Sequence, residues 1–250
     1  MHNCLVGSEM CIRDRLIPAR LKSKRFPNKL IKKINGTPII LKTYRAAIDT
    51  GLFDNVYVVS GDDKILELIK TEGGKTFKSL KNHNSGTDRI AEAVIKLDTD
   101  IVVNLQGDEP FISKKAIESL IKSFDDKSVE MASLMTKFES FEELNNPNNV
   151  KVIVDNNHNA LYFSRLPIPY ASKKLIDYNR HIGIYAFLKQ SLIEFSNLKR
   201  LNLEIVENLE GNRVVENSKK IRMVSTDFHG ISIDTPQDLL KAEKFISLND

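Results

Sequence analysis

Ile101-Val102-Val103-Asn104-Leu105-Gln106-Gly107-Asp108-Glu109-Pro110 decides the fold class of this chain. An almost wholly apolar run leads straight into a glycine and two acids. A strand that is apolar on both faces belongs inside a parallel sheet covered by helices on each side. The same pattern stands at Val56-Tyr57-Val58-Val59, and Leu16-Ile17 is the end of another run, leading into Pro18-Ala19-Arg20. Between these runs lie stretches with helical periodicity: Pro38 to Ile48, Asp62 to Glu72 and Thr87 to Leu97. Gly51 and Gly73-Gly74 stop the first two, and Ser113 caps a further helix reaching Phe124. The alternation predicts an α/β protein with a Rossmann-like, mostly parallel sheet.

The second half changes character. Asn145 to Asn149 is a turn-rich break. Val150 to Val154, Ala160 to Ser164 and His181 to Phe187 read as strands with few helices between them. The organisation expected is one domain over residues 16–250 with a small β-rich insertion at about 138–188. Thr235-Pro236 opens the last helix, which runs to Ile246, with a cap residue followed by proline at the first helical position.

The 250 residues are 41% hydrophobic and 28% charged, so a packed core is expected and disorder is not. The net charge of +4 suits an anionic substrate as well as it suits nucleic acid. The lysines from Lys22 to Lys33 and Lys78 to Lys81 also fit an ordinary solvated face. No basic stripe with interleaved aromatics is present, which argues against a nucleic-acid partner. No apolar run approaches the ~20 residues that cross a bilayer, and the N-terminus lacks the apolar core of a signal peptide. A cytoplasmic protein without a membrane partner is expected. Residues 1–15 look foreign: Cys4 to Asp14 resembles an in-frame translation of a sequencing-library adapter. Arg13, Asp14 and Arg15 stand where a buried strand should be apolar. The alternative is a genuine N-terminal strand. Both cysteines lie in this segment, so without it the chain has none for a disulfide or a metal thiolate.

In an open parallel sheet, ligands bind beyond the carboxyl ends of the strands. After the first strand, Arg20, Lys22, Lys24, Arg25 and Lys29 crowd one loop. A triphosphate needs such fixed cations. The phosphate-binding Gly-x-x-x-x-Gly-Lys-[Ser/Thr] loop is absent from the sequence. After Leu105, Gly107 lets the backbone approach a ligand and Asp108 faces it. Magnesium prefers one or two carboxylates plus phosphate oxygens and water. Asp234, after a short strand Ile231-Ser232-Ile233 and before the last helix, supplies a second acid, and it reads equally as a plain helix cap. Ser85-Gly86-Thr87-Asp88-Arg89 is a polar turn opening a helix, suited to polar ligand edges or simply to capping.

These blocks, with Leu161-Tyr-Phe-Ser-Arg165, His181-Ile-Gly-Ile-Tyr185 and Ile233-Asp-Thr-Pro-Gln-Asp-Leu239, occur in one order and spacing. Together they resemble the 3-deoxy-manno-octulosonate (Kdo) cytidylyltransferase family over about Leu16 to Ile246. The resemblance implies a nucleotide-diphospho-sugar transferase type of fold, with CTP and Kdo as substrates. Its products would be CMP-Kdo, for lipopolysaccharide synthesis, and pyrophosphate. It implies that Arg20 and Lys29, with Arg25, hold the triphosphate and that Ser85, Gly86 and Arg89 contact the cytidine. Asp108 and Asp234 would coordinate Mg2+, with Arg20, Lys29 and Asp108 as the catalytic set. Gln106, Arg165, His181, Tyr185, Glu207 and Glu210 would bind the sugar. A homodimer built around Arg165 to Phe187 is implied as well. Read without the resemblance, His181 is an ordinary core histidine.

The chain departs from the family pattern in three places. Its first strand is overwritten; Tyr170 replaces a tryptophan; and Leu209-Glu-Gly-Asn-Arg213 stands where the family reads Leu-Glu-Gln-Leu-Arg. The competing functions are a cytidylyltransferase for a sialic-acid-type sugar or 8-amino-Kdo, and a catalytically inactive nucleotide-sugar binding protein.

Overall fold

The computed structural model describes residues 11–23, 25–170, 178–230 and 232–247. Residues 1–10 of the foreign-looking segment, Lys24, residues 171–177 of the expected insertion and Ile231 lie outside them. In chain order the elements are β1 (Arg13–Ala19), β2 (Lys33–Ile34), β3 (Thr37–Pro38), α1 (Ile39–Asp49), β4 (Asn55–Ser60), α2 (Asp63–Thr71), β5 (Lys75–Lys78), α3 (Gly86–Val94), β6 (Ile101–Asn104) and α4 (Lys114–Lys122). There follow β7 (Met131–Lys137), α5 (Phe141–Asn145), β8 (Lys151–Val154), β9 (Ala160–Ser164), β10 (Asn179–Leu188), α6 (Lys189–Asn197), α7 (Asn202–Glu207), α8 (Glu210–Glu216), β11 (Arg222–Ser225) and α9 (Pro236–Ser247). Two compact units result, one from 12–114 with the segment after Gly230, the other from 115–229. The sequence reading expects a single domain; its insertion at about 138–188 falls wholly inside the second unit.

In the first unit β6, β1, β4 and β5 are parallel and adjacent in that order. Leu16 pairs with Tyr57 on one side and Asn104 on the other. Leu16, Ile17, Val58, Val59, Val102 and Val103 are all fully buried, as apolar strands under two helical layers must be. Helix α1 buries Ile39 and Ile40 and α2 buries Ile65 and Ile69 on one face each.

The first strand of the sheet crosses the boundary expected after residue 15. Strand β1 begins at Arg13, so a boundary after residue 15 cuts through it. Arg15 pairs in register with Val56 and Val103 and is completely buried. Backbone ladder bonds do not depend on side-chain polarity, so the strand extends through charged residues and carries them inside.

In the second unit β10 runs antiparallel to β7, β11 runs parallel to β7, and β8 pairs with both β9 and the first residues of β10. The β10–β7 register shifts between Ile182 and Tyr185, leaving Gly183 and Ile184 outside the pairing. Ser133 of β7 answers it: its Oγ lies 2.9 Å from Ile184 O and 3.3 Å from Ile182 O. Among the described residues no helix is long and apolar enough to cross a membrane.

Candidate active site

The first unit gathers its charges at the carboxyl ends of β1 and β6. Asn28 takes a left-handed backbone (φ 57°) and its N–H donates to Leu21 O at 3.2 Å. That turn starts the short 3-10 segment Lys29–Ile31, whose Leu30 is buried. Lys29 Nζ bonds Asp108 Oδ2 and lies 2.9 Å from Asp234 Oδ1. Arg25 Nη2 reaches the same Asp234 oxygen at 2.8 Å. Backbone geometry fixes the two acids as neighbours, because Ile233 N–H donates to Asp108 O at 3.0 Å. The short strand expected at 231–233 is absent at Ser232 and Ile233. A single backbone bond replaces a ladder there.

Burial alone would lower the Lys29 pKa. The charges and hydrogen bonds of Asp108 and Asp234 outweigh it and raise the value, so the ammonium stays charged. Burial pushes Asp234 up, and Lys29 and Arg25 pull it below the ordinary carboxylate value, so it stays ionised.

Asp234 is not the cap of α9. Thr235 Oγ1 accepts from Asp238 N at 3.2 Å, while Asp238 Oδ2 accepts from the N–H groups of Thr235 (2.9 Å) and Asp234 (3.2 Å). This reciprocal capping box leaves the Asp234 carboxylate to the cations. Thr235→Ala is expected to cost about 1 kcal/mol and to lower the thermal midpoint by roughly 2–4 °C, measurable by circular dichroism.

Two carboxylates converging on one ammonium stand close enough to share one cation, the donor set magnesium uses beside phosphate oxygens and water. Among the described residues no group of three or more His, Cys, Asp or Glu could hold a metal by itself. The residues therefore fit a magnesium ion that arrives with phosphates.

Arg20 is exposed just beyond β1. Arg89 Nη1 donates to Ala19 O at 2.6 Å, which ties α3 to that strand end. Burial, and then the Arg20 charge, lower the Arg89 pKa. Ser85 caps α3 by accepting from Asp88 N at 3.1 Å. A Cβ at Gly86 would meet Pro18 Cγ at 3.0 Å and Gln106 Oε1 at 3.2 Å, so glycine lets α3 start close against both strand ends without displacing either side chain. A Cβ at Gly107 would meet Ile40, Pro18 O and Leu30 at 3.1–3.3 Å, so the close approach this glycine permits is to its own unit.

The other expected residues lie in the second unit. Arg165 Nε donates to Glu207 O at 2.8 Å, and its Nη groups reach Pro147 O (3.0 Å) and Asn208 O (3.5 Å). Neutral carbonyls thus position the guanidinium without cancelling its charge. The Glu207 carboxylate accepts from Tyr162 OH and Ser164 OH, both at 3.1 Å, and from Arg165 N at 2.9 Å. It is committed to holding β9 against α7. Glu210 is the first residue of α8.

His181 Nε2 is 2.9 Å from Ser133 Oγ. With its proton on Nε2 the ring donates to that hydroxyl, which donates in turn to a β10 carbonyl, and this assignment leaves Nδ1 as an acceptor. Phe163 and Tyr185 stand edge-on to the imidazole at centroid distances of 4.8 and 5.3 Å. Burial pushes the His181 pKa down to about 3, so the ring is neutral at physiological pH and acts only as a hydrogen-bonding group. Lys151 is a residue the sequence reading misses. It is fully buried, and its Nζ donates to Asn146 O (2.9 Å) and Arg165 O (2.8 Å). Burial, then the Arg165 charge, lower its pKa to about 8. A lysine opening the apolar run Lys151 to Val154 was the available signal.

A nucleotide-transfer fold with a cation-and-carboxylate site at its strand ends defines the class. Comparison with known proteins narrows it. A family model described as cytidylyltransferase matches residues 15–221. A 3-deoxy-manno-octulosonate cytidylyltransferase of Christiangramia forsetii is 49% identical over 237 residues, covering 93% of this chain and 96% of that protein. One of Flavobacterium johnsoniae is 50% identical over 236 residues, covering 92% and 97%. The solved structure of CMP:2-keto-3-deoxy-manno-octonic acid synthetase complexed with CTP superposes with a TM-score of 0.89 at 34% identity, covering 96% of this chain and 100% of that one. The chain belongs to the cytidylyltransferase family, and within it to the 3-deoxy-manno-octulosonate cytidylyltransferases.

Proposed function

We propose that this enzyme joins CTP to Kdo, giving CMP-Kdo for lipopolysaccharide synthesis and pyrophosphate. The observation that carries this is the convergence of Lys29 and Arg25 on Asp108 and Asp234, in a chain half identical to relatives named for that reaction. The anomeric hydroxyl oxygen of the sugar forms a bond to the α-phosphorus of CTP. The bond from that phosphorus to the bridging oxygen breaks, and the hydroxyl proton is lost to solvent.

Asp108 and Asp234 would hold magnesium. When bound, that ion lowers the hydroxyl's pKa and offsets phosphate charge. Arg20, Arg25 and Lys29 orient the triphosphate, and Ser85, Gly86 and Arg89 border the cytidine. For the sugar, the first unit offers Gln106, and the second unit offers Arg165, His181, Tyr185, Glu207 and Glu210. There Arg165 meets the carboxylate, and neutral His181 accepts a hydroxyl through Nδ1. Most of the rate gain is positioning of two mutually repelling anions. The expected setting is the cytoplasm, where CTP is made. A homodimer through the region around Arg165 is supported by the exposure of Leu161, Leu166 and Tyr170.

The test is pyrophosphate release from CTP against a panel of acidic sugars. Release should need both Kdo and magnesium and should stop with a chelator. Release with a sialic acid or 8-amino-Kdo and not with Kdo would reassign the sugar; none with any sugar would leave a nucleotide-sugar binding protein.

A further inference from the structure

The Gly211-Asn212 pair that breaks the family pattern has a place of its own in the second unit. The Asn212 side chain reaches β9 and makes both backbone bonds of one residue. Its Oδ1 accepts from Phe163 N at 3.1 Å and its Nδ2 donates to Phe163 O at 2.9 Å. An asparagine amide can donate and accept side by side, so it stands in for a neighbouring strand. Leucine at this position could do neither. Gly211 makes room for the same residue. A Cβ there would lie 2.6, 2.8 and 3.0 Å from Cε2, Cδ2 and Cζ of the Phe163 ring. That ring is fully buried and cannot swing aside cheaply.

Phe163 begins a row of aromatic contacts. Its ring meets His181 at 4.8 Å, His181 meets Tyr185 at 5.3 Å, Tyr185 stacks on Phe187 at 6.0 Å, and Phe187 meets Phe195 at 5.9 Å. The far end returns to the same helix: the Arg213 guanidinium lies 4.4 Å from the Phe195 centroid. Arg213 is itself fixed by a buried two-point pair with Glu204, at 2.8 and 2.7 Å. Three consecutive residues of α8 therefore hold both ends of a row whose middle is His181 and Tyr185.

We infer that Gly211, Asn212 and Arg213 are positioning residues that set the orientation of the His181 ring for the acidic sugar, acting through Phe163 and Phe195. The inference rests on the sugar-side reading of His181 and Tyr185 above. Ser133 fixes one edge of the imidazole by its hydrogen bond, and the aromatic row fixes its tilt. With the tilt set, Nδ1 keeps one direction in which to accept a hydroxyl. Rigid support of this kind makes a site precise.

The test uses the full-length enzyme with three variants, Gly211→Ala, Asn212→Asp and Phe163→Leu. Asn212→Asp keeps the acceptor toward Phe163 N and sets a second oxygen against Phe163 O. Two readouts are taken: KM for each substrate from pyrophosphate release, and the His181 ring signals by NMR. Each variant should raise KM for the acidic sugar by about tenfold, the scale of a sub-ångström to ångström misplacement, while KM for CTP stays within about twofold. The His181 ring signals should move in all three. Gly211→Ala placed in the Phe163→Leu background should add little, because both act through one ring. Equal rises in both KM values, additive effects, or unmoved His181 signals in a folded variant would overturn the inference. If no acidic sugar supports turnover, the functional reading fails and the NMR readout still decides the inference. If Kdo turns over and the sugar KM is unchanged in the variants, the functional reading stands and the inference falls.

Discussion

Asp108→Asn keeps the fold and lowers the rate of pyrophosphate release by at least about a hundredfold, the scale on which a single electrostatic group in a transition-state site is felt. The substitution is nearly isosteric. The Asp108 contribution to the fold is its backbone carbonyl, which receives Ile233 N–H at 3.0 Å, and asparagine keeps it. What is lost is one negative charge, on a side chain only 18% exposed. Lys29 then leans on Asp234 alone, which already carries Arg25. The cation balance of the site shifts by one full charge where phosphates are to be bound. Magnesium left with one carboxylate binds more weakly, so part of the lost rate should return at high magnesium concentration. Asp234→Asn should do similar damage. The double variant should fall little further than either single, since the two acids act as a unit. The measurement is steady-state release at several magnesium concentrations, with melting curves to check the fold. Near-normal turnover in Asp108→Asn would remove the metal assignment.

Both acids of this site are readable from the sequence because of where they stand. Asp108 follows an apolar strand by three residues, at a sheet end where ligands bind in a parallel α/β fold, and Asp234 directly precedes a Thr-Pro helix start. The strands β4 and β6 and the helices α1 and α2 are equally plain, because uninterrupted burial leaves uninterrupted apolar runs. What cannot be read is pairing across long chain separations. The basic loop suggests phosphate binding at Lys29, and nothing local says that its ammonium bridges residues 108 and 234. His181 presents the same difficulty. Read alone it is an ordinary core histidine, and nothing local names Phe163, Tyr185 and Ser133 as the groups packed around it. Gly211 and Asn212 look like losses when set beside the family pattern. Their reason lies in β9, some fifty residues earlier in the chain.

The start of β1 is where pattern reasoning parts from the structure, and it leads to the largest expected gain in stability. Arg15 sits between Val56 and Val103 in the middle of the parallel sheet, wholly buried. Its Nε, Nη1 and Nη2 make no hydrogen bond. The Phe53 ring lies 5.0 Å from the guanidinium, and the Glu109 charge favours its protonated form. Desolvation lowers the Arg15 pKa from the ordinary arginine value to about 9, with Glu109 opposing. At about 1.4 kcal/mol per pKa unit, that shift is a penalty of roughly 3–5 kcal/mol on the folded state.

Arg15→Met removes the charge and keeps an unbranched chain that fits the same channel. The thermal midpoint should rise by about 10 °C, from roughly 2–4 °C per kcal/mol in a chain of this size. The pH dependence carries the sign of the cause. Below about pH 9 the arginine is charged in both folded and unfolded chains, and the whole penalty is present. Above about pH 9 the folded chain releases the proton first, so the unfolded state binds more protons and stability rises with pH. The gap between the two proteins should therefore be widest at neutral pH and narrow as pH climbs toward 12. A midpoint that is unchanged or lower in Arg15→Met would mean that the guanidinium is compensated, and that the charged start of β1 is a working part of the sheet.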